Sequence, residues 1–592
     1  MARLNNGQVL AVTVGLAIAL AYGWMVVPWI TQRMVGEHLL TDPFLQAPTP
    51  TSVNVVWFTE FEGSKHVVDY GNGWRQRAIA TTTLLSRTRE DAKSRVGNQT
   101  EDGQVYDRVR DRPIWRHEAV LADLTGTVPY RAVSFKGDRQ IVRSQSFQAA
   151  PAPAPGVPLH ILLTSDHQSQ PMTAANLQKV VETVGAIDAV FLAGDLVNIP
   201  DRASEWFDDH RGNAFFPCLQ GRAHYKLTYD DAETTYRGGA IIQSAPLFVA
   251  TGNHEVMGRL SEADLNEQFN DPQPRAIAAQ RYQERAADIN PTHDPAIQAE
   301  WIKNQSFNTD TVHELFTPLN AEEPRSPYYA VTFGDVRLVV LFATNIWRNP
   351  SLNPNVRGRY REQDAALDDP TQWGYGQHIF EAIAPGSPQY TWLEAELSSP
   401  AFQQARYKIV MFHHPPHSLG DNIVPAYTDP VQIIDRFPEG RIKSVRYEYP
   451  KDQDYLIRDV VPLLENAGVQ LVLYGHSHLW NRFTNGAIHY LETSNVGNTY
   501  GAYLSDRRPI PIGFQEDYAA FDDPNGLEPV VPTIAPLMDE HGDPLPYLAS
   551  NEITAFSILD TGTGTVSSYR FDTRQPDSEV VKFDEFSLET SP

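Results

Sequence analysis

The sequence predicts a layered α/β body preceded by a small all-β sandwich and one N-terminal membrane-spanning helix. Three observations predict it. Five short apolar runs, at 161–163, 189–193, 247–250, 409–412 and 469–474, are rich in Val, Ile, Leu and Phe and read as strands buried on both faces, with helical patterns between some of them. Upstream, strand-like segments alternate with turn-rich stretches. Before those lies a long run without charge.

In chain order, residues 9–30 are 22 positions without a charged side chain, enough at about 1.5 Å per residue to cross roughly 30 Å of hydrocarbon. Arg3 precedes the run and Arg33 follows it, so charge orients it only weakly. Ala19-Leu20-Ala21 resembles a signal-peptidase site, yet hydrophobicity continues from Trp24 to Val27 beyond it. Residues 1–35 therefore read as a signal anchor. The body would be exported and membrane-anchored, on the periplasmic or extracellular face, or secreted if the signal is cleaved after Ala21.

Segments 53–59, 67–71, 114–124 and 130–135, closed by 144–147, read as a small β-sandwich over 50–148. Alternating prolines in the Pro/Ala linker 149–157 stiffen the chain into extended polyproline II. The main body spans 158–575. Its expected helices lie at 174–184, 391–397 and 454–467, the last closed by Gly468. Two stretches interrupt it: 258–325, polar and partly helical around 262–269 and 274–287, and 503–546, rich in Pro, Asp and Gly and read as loops. Both follow motif-bearing strands, where they either wall a cleft or decorate the surface. Residues 576–592 read as a C-terminal tail.

With 592 residues, 41% hydrophobic, the chain can pack more than one domain. Its 48 basic and 73 acidic residues give a net charge of −25, which repels nucleic acids and anionic membranes, so no nucleic-acid partner is expected and small substrates are favoured. The lone Cys218 excludes an intramolecular disulfide framework.

The chemistry sits just past the apolar runs. Ser165-Asp166, Gly194-Asp195, Gly252-Asn253-His254-Glu255, His413-His414-Pro415 and Gly475-His476-Ser477-His478 each follow one, and in α/β sheets functional groups gather beyond the carboxyl ends of strands. Spacings of 29, 58, 160 and 63 residues between successive motifs are then no obstacle to convergence. Alone, a Gly-Asp or Gly-Asn-His is a surface turn in most proteins; the combination with a His-x-His pair points to a site. The donor set of carboxylates, imidazoles and an amide, without thiolate, suits two divalent metal ions (Mn, Zn or Fe) sharing Asp195 as a bridge. Such a pair would clamp the oxygens of an in-line phosphoryl displacement, and its bridging hydroxide would be the nucleophile.

In these motifs the chain resembles the calcineurin-like metallophosphoesterase superfamily, with four of five blocks intact and in family order over about 158–575. The resemblance implies a layered β-sandwich flanked by helices and an enzyme, a hydrolase acting on phosphate mono- or diesters. It assigns Asp166, Asp195 and His478 to one metal, and Asp195, Asn253, His413 and His476 to the second. His254 would be the catalytic general acid, protonating the leaving oxygen. The upstream sandwich is similar to the fibronectin-III-like domain that precedes the catalytic domain of purple acid phosphatases.

Two departures stand out. The family usually has Asp-x-His in the first block, whereas here Asp166-His167-Gln168 puts the histidine one place early and Gln168 in the ligand position. Alternate residues of an extended segment face opposite sides, so His167 does not simply substitute unless the chain bends after Asp166; Gln168 is the tentative metal ligand, or holds a water. Asn198 stands where purple enzymes carry a metal-binding tyrosine, so the protein is expected to be colourless and acid-phosphatase-like rather than purple.

His414 and His417 match no family role and read as satisfied or solvent-facing histidines, and Arg482 as supporting the site by hydrogen bonding. A different class of function, an exported metal-binding protein with a non-catalytic or sensing dinuclear site, rests on the altered first block. Hydrolysis at a non-phosphate centre is a third reading.

Overall fold

The computed structural model describes residues 38–97, 106–230, 232–271, 273–320, 326–348, 360–374, 376–420, 422–504, 518–519 and 521–589. The apolar run 9–30 lies outside them, and among the described residues no helix is long and apolar enough to cross a membrane.

Two sheets face each other in the body. One has six strands in the order Leu247–Val249, Ala189–Leu192, His160–Thr164, Ile553–Asp560, Thr565–Asp572, Val581–Ser587, the first three parallel. The other has seven, in which Val336–Val340, Tyr407–Met411, Leu471–Tyr474 and Ile488–Thr493 run parallel. Side chains alternate across each strand. Ile161, Leu163, Phe191 and Phe248 turn inward to meet Leu338, Ile409, Met411 and Leu473 from the opposing sheet. Leu162, Val190 and Leu192 turn outward against Ala174, Leu177 and Val180 of the helix Thr173–Val184. The second sheet's outer face, with Val339, Val410 and Val472, packs on Leu393 and Leu397 of Pro388–Leu397 and on Leu464 of Val461–Asn466. Burial on both faces explains the continuous apolar runs.

The expected helix at 454–467 is divided. Leu456–Val460 is a π-helical turn leading into Val461–Asn466, and Pro462, which has no N–H to donate, sits at the start of the second piece. Gly468, at φ +71°, closes the segment as expected.

The N-terminal region is all-β. A four-stranded sheet (Phe44–Thr49, Ser52–Thr59, Trp115–Leu121, Thr81–Leu84) and a five-stranded one share a core of Trp57, Val68, Tyr130 and Ala132. The sandwich begins before residue 50, because Phe44–Thr49 pairs with Ser52–Thr59, and its last strand is Phe147–Ala149 rather than 144–147. The linker is docked at both ends: the Ala152 N–H donates to the Thr49 carbonyl (2.8 Å), and that of Gly156 to Asp335 Oδ1 (2.8 Å). Phe44 and Phe58 of the sandwich pack with tilted rings against Phe216 and Phe207 of the body, and buried Arg112 reaches Glu60 and Glu90 together with Asp208.

The expected tail at 576–592 is corrected. Val581–Ser587 pairs with Thr565–Asp572 and buries Phe583 in the inter-sheet core, so the body runs on to Ser587.

Candidate metal centre

Three parallel strands of one sheet deliver Asp166, Asp195 and Asn253, and two of the other deliver His413 and the pair His476 and His478. Each residue lies two to four positions past its strand, at the carboxyl edge. Two groups of ligand atoms result, Asp195 with His413 and His476, and Asp166 with Asp195 and His478, each within 4.8 Å mutually and all buried. Asp195 belongs to both.

The turns that aim these side chains are tight. Asp166, Asp195, His476 and His478 have φ of +54°, +56°, +83° and +55°, a left-handed region that costs non-glycine residues roughly 1–3 kcal/mol. Cross-loop bonds hold them there: His476 N–H to Asp166 Oδ2 (3.0 Å) and His254 N–H to Asp195 Oδ1 (2.9 Å). At Gly475 a Cβ would lie 2.0 Å from Ser165 Oγ and 2.2 Å from Asp166 Oδ2, so only glycine fits.

The atoms facing inward are acceptors. His413 Nδ1 lies 2.8 Å from the Ala193 carbonyl and His478 Nδ1 2.6 Å from Asn498 Oδ1, so both rings donate outward and turn Nε2 lone pairs inward. His413 Nε2 meets Asn253 Oδ1 at 3.1 Å, Asp195 Oδ1 at 3.2 Å and His476 Nδ1 at 3.2 Å. Asp166 Oδ1 is buried without a hydrogen bond and sits 3.3 Å from His478 Nε2. Only protons or cations satisfy such a cluster, and this donor set fits two divalent ions. Without them, burial opposes charge on His413, but the Asp195 carboxylate outweighs it and pushes the imidazole up to about 10. Burial and the neighbouring His414 and His413 hold His476 well below its ordinary value.

Gln168 reaches the site through its amide, Nε2 donating to Asp195 Oδ2 at 2.7 Å. His167 turns away: its Nε2 lies 3.0 Å from Thr164 Oγ1, its ring packs near Phe215, and burial pushes it down to about 4. The chain does bend after Asp166, yet His167 faces the core. His254 is half-buried, with Nδ1 2.8 Å from the Asn198 carbonyl and its ring stacked on Phe269 (5.1 Å, 28°). Phe269 belongs to the 258–325 stretch, which therefore does reach the site.

Buried His414 packs on His476 (4.1 Å), and buried His417 bonds Asp523 Oδ2 (2.8 Å). Arg482 is ion-paired with Asp584 (2.9 Å) instead of supporting the ligands. Sequence reasoning gave no role to Glu255, which accepts the N–H groups of Asp195, Leu196 and Gly252 (2.7–2.8 Å) and is driven up to about 8 by burial and by Asp195. Its only signal was adjacency to His254. Glu492 accepts the Ser477 N–H (2.8 Å) and an Asn481 amide proton, fixing the histidine loop. Neither it nor Asn498 stands in a motif.

The calcineurin-like phosphoesterase family matches residues 159–479, just over half the chain. Among solved structures the chain is similar to a purple acid phosphatase isolated from yellow lupin (Lupinus luteus) seeds, at 14% identity over 92% of this chain and 74% of that one, with a TM-score of 0.51. That likeness is one of fold. Weaker ones, which carry no argument, are to PhoD (12%, 92% of each chain, TM-score 0.39) and to GAP50, the anchor in the inner membrane complex of Plasmodium (10%, 72% and 89%, TM-score 0.32). No curated protein matches the chain.

Proposed function

The chain belongs to the calcineurin-like phosphoesterase family, a family of phosphoester hydrolases, and from that premise we propose that it hydrolyses small phosphate mono- or diesters at a two-metal centre. The observation that carries this reading is Asp195, common to two buried ligand groups whose inward atoms are acceptors. Divalent ions bound there supply the charge that holds the phosphoryl oxygens and the activation of the attacking water.

The chain's own groups do the rest. Asp166 and His478 would hold one ion and Asn253, His413 and His476 the other, with Asp195 common to both; Gln168, whose Nε2 donates to Asp195 Oδ2, would turn its amide oxygen to an ion or orient a water. His254 protonates the leaving oxygen. Its Nδ1–H is committed to the Asn198 carbonyl, which directs the second, exchangeable proton to Nε2, and the Phe269 stack fixes the ring plane. Asn198 offers no phenolate, so a ferric ion is not required. In the same reading the N-terminal sandwich is fibronectin-III-like, and residues 9–30 anchor an exported body.

The test is hydrolysis of a chromogenic monoester and a diester by the full chain reconstituted in turn with Mn, Zn and Fe. Metal-dependent turnover lost in His254→Ala and Asp195→Asn is expected. Two bound ions without turnover of either ester would overturn the reading.

A further inference from the structure

The candidate metal ligands are closed to water: Asp166, Asp195, Asn253, His413, His476 and His478 are at most 6% exposed. The side chains that touch them from outside are more open. His254 and Asn498 are half-buried, and Tyr500 is 68% exposed although its ring centroid lies 4.3 Å from that of His478, at 32°. One face of the phenol ring covers the imidazole, and the rest stands in solvent.

Single exposed aromatics are ordinary on a protein surface. This one is held in place against a residue of the candidate centre. The Met172 N–H donates to the Gly497 carbonyl (3.0 Å), the Thr499 N–H to Asn551 Oδ1 (3.0 Å) and the Tyr503 N–H to the Leu419 carbonyl (2.8 Å), so the loop is pinned on both sides of Tyr500. At Gly497 a Cβ would lie 2.2 Å from that of Gln170, a close approach that fixes the start of the loop. The same loop supplies Asn498 Oδ1, 2.6 Å from His478 Nδ1, so ring and imidazole are positioned together.

His478 and Asp195 belong to one ligand group, and His254 reaches Asp195 through its N–H, so Tyr500 and His254 border the same group from different ligands. A flat ring presented there suits another flat ring, because offset stacking adds electrostatic attraction to the area it buries. It also needs no positive charge, which fits a chain of net charge −25. We propose that Tyr500 is a specificity-determining residue whose open face stacks on the organic group of the bound ester. The favoured substrates are then small phosphoesters that carry a flat ring, an aryl group or a nucleobase. The inference rests on the phosphoesterase reading for the reaction and on Tyr500 alone for the preference.

Two arms separate these. In the first, the full chain loaded with Mn, Tyr500→Phe and Tyr500→Leu are compared on benzyl phosphate and cyclohexylmethyl phosphate, which differ in the flatness of the ring while both release a primary alcohol. The ratio of kcat/KM should favour the benzyl ester by roughly three- to tenfold in the wild type, persist in Tyr500→Phe and fall toward unity in Tyr500→Leu. Reading a ratio cancels any general loss of activity from a change beside His478. A wild-type ratio near unity, one that Tyr500→Leu leaves in place, or one that Tyr500→Phe also abolishes overturns the proposal. In the second arm, calorimetric binding of the non-hydrolysable benzylphosphonate and cyclohexylmethylphosphonate is measured on the same proteins. Tighter binding of benzylphosphonate by the wild type and Tyr500→Phe, but not by Tyr500→Leu, supports the stacking role even if neither ester is turned over, in which case only the phosphoesterase reading fails. Equal affinities in the wild type, or no binding of either phosphonate, overturn the proposal.

Discussion

His478 Nε2 lies 3.3 Å from Asp166 Oδ1, an oxygen that is buried and has no hydrogen bond, although the two residues come from different sheets. A carboxylate and an imidazole facing one another this way, with Asp195 beside them, suit a shared divalent cation. Asp166→Asn should therefore bind one ion in place of two, as counted by elemental analysis after dialysis, whereas unchanged stoichiometry would show that this pair holds none. Gln168→His, which puts imidazole where only an amide reaches, should tighten the more weakly held ion by about tenfold or more.

Metal removal should give the protein an unusual pH dependence. Free of metal, His413 is pushed up to about 10 and Glu255 to about 8, from ordinary values of 6.5 and 4.5. Each binds its proton more tightly folded than unfolded, so its stabilisation is complete below the ordinary value and lost as pH rises through the raised one. Between pH 6.5 and 10 the Tm of metal-free protein should fall. With divalent ions added, the histidines bind metal instead of protons and affinity grows with pH, so the Tm difference between the two forms should widen. A metal-free Tm that stays flat across that range contradicts the assignment.

How much of this was readable in sequence follows from burial. Ile161 and Leu162 face opposite layers and both are buried, so the strand shows as an unbroken apolar run with its ligand just beyond the end. Val581–Ser587 hid for the opposite reason: a register shift at Ser568/Tyr569 places Phe583 and Phe586, three apart, on the same core, which breaks the alternation that marks a strand. Glu492 and Asn498 act through single hydrogen bonds to the histidine loop, and a lone polar residue carries no pattern. The bend at Asp166 was foreseeable as a possibility, but the side to which it sent His167 depended on Thr164 and Phe215.

Arg112 ties the sandwich to the body through Glu60, Glu90 and Asp208, at 2.6–2.8 Å, and Glu90 is fully buried. Arg112→Ala strands that carboxyl, which should cost about 3–5 kcal/mol because an unpaired buried charge remains. Thermal unfolding measures the loss, and limited proteolysis at the linker should accelerate as the sandwich undocks. A change within about 0.5 kcal/mol would mean that the other contacts between the two regions, among them Arg89–Asp201, Arg202–Asp91 and Phe58–Phe207, hold them without Arg112.

His254 touches the ligand set only through its backbone N–H on Asp195 Oδ1, while its ring is fixed by the Asn198 carbonyl and by Phe269. Side-chain removal should therefore spare the metals and remove the acid. For His254→Ala, kcat should fall by roughly 10²–10⁴ with metal content unchanged, and the loss should shrink for esters whose leaving group needs no proton. Phe269→Ala keeps the acid but frees its ring, so kcat should drop by less and with the same dependence on leaving-group pKa. If His254→Ala slows good and poor leaving groups equally, the residue holds the phosphate and another group delivers the proton.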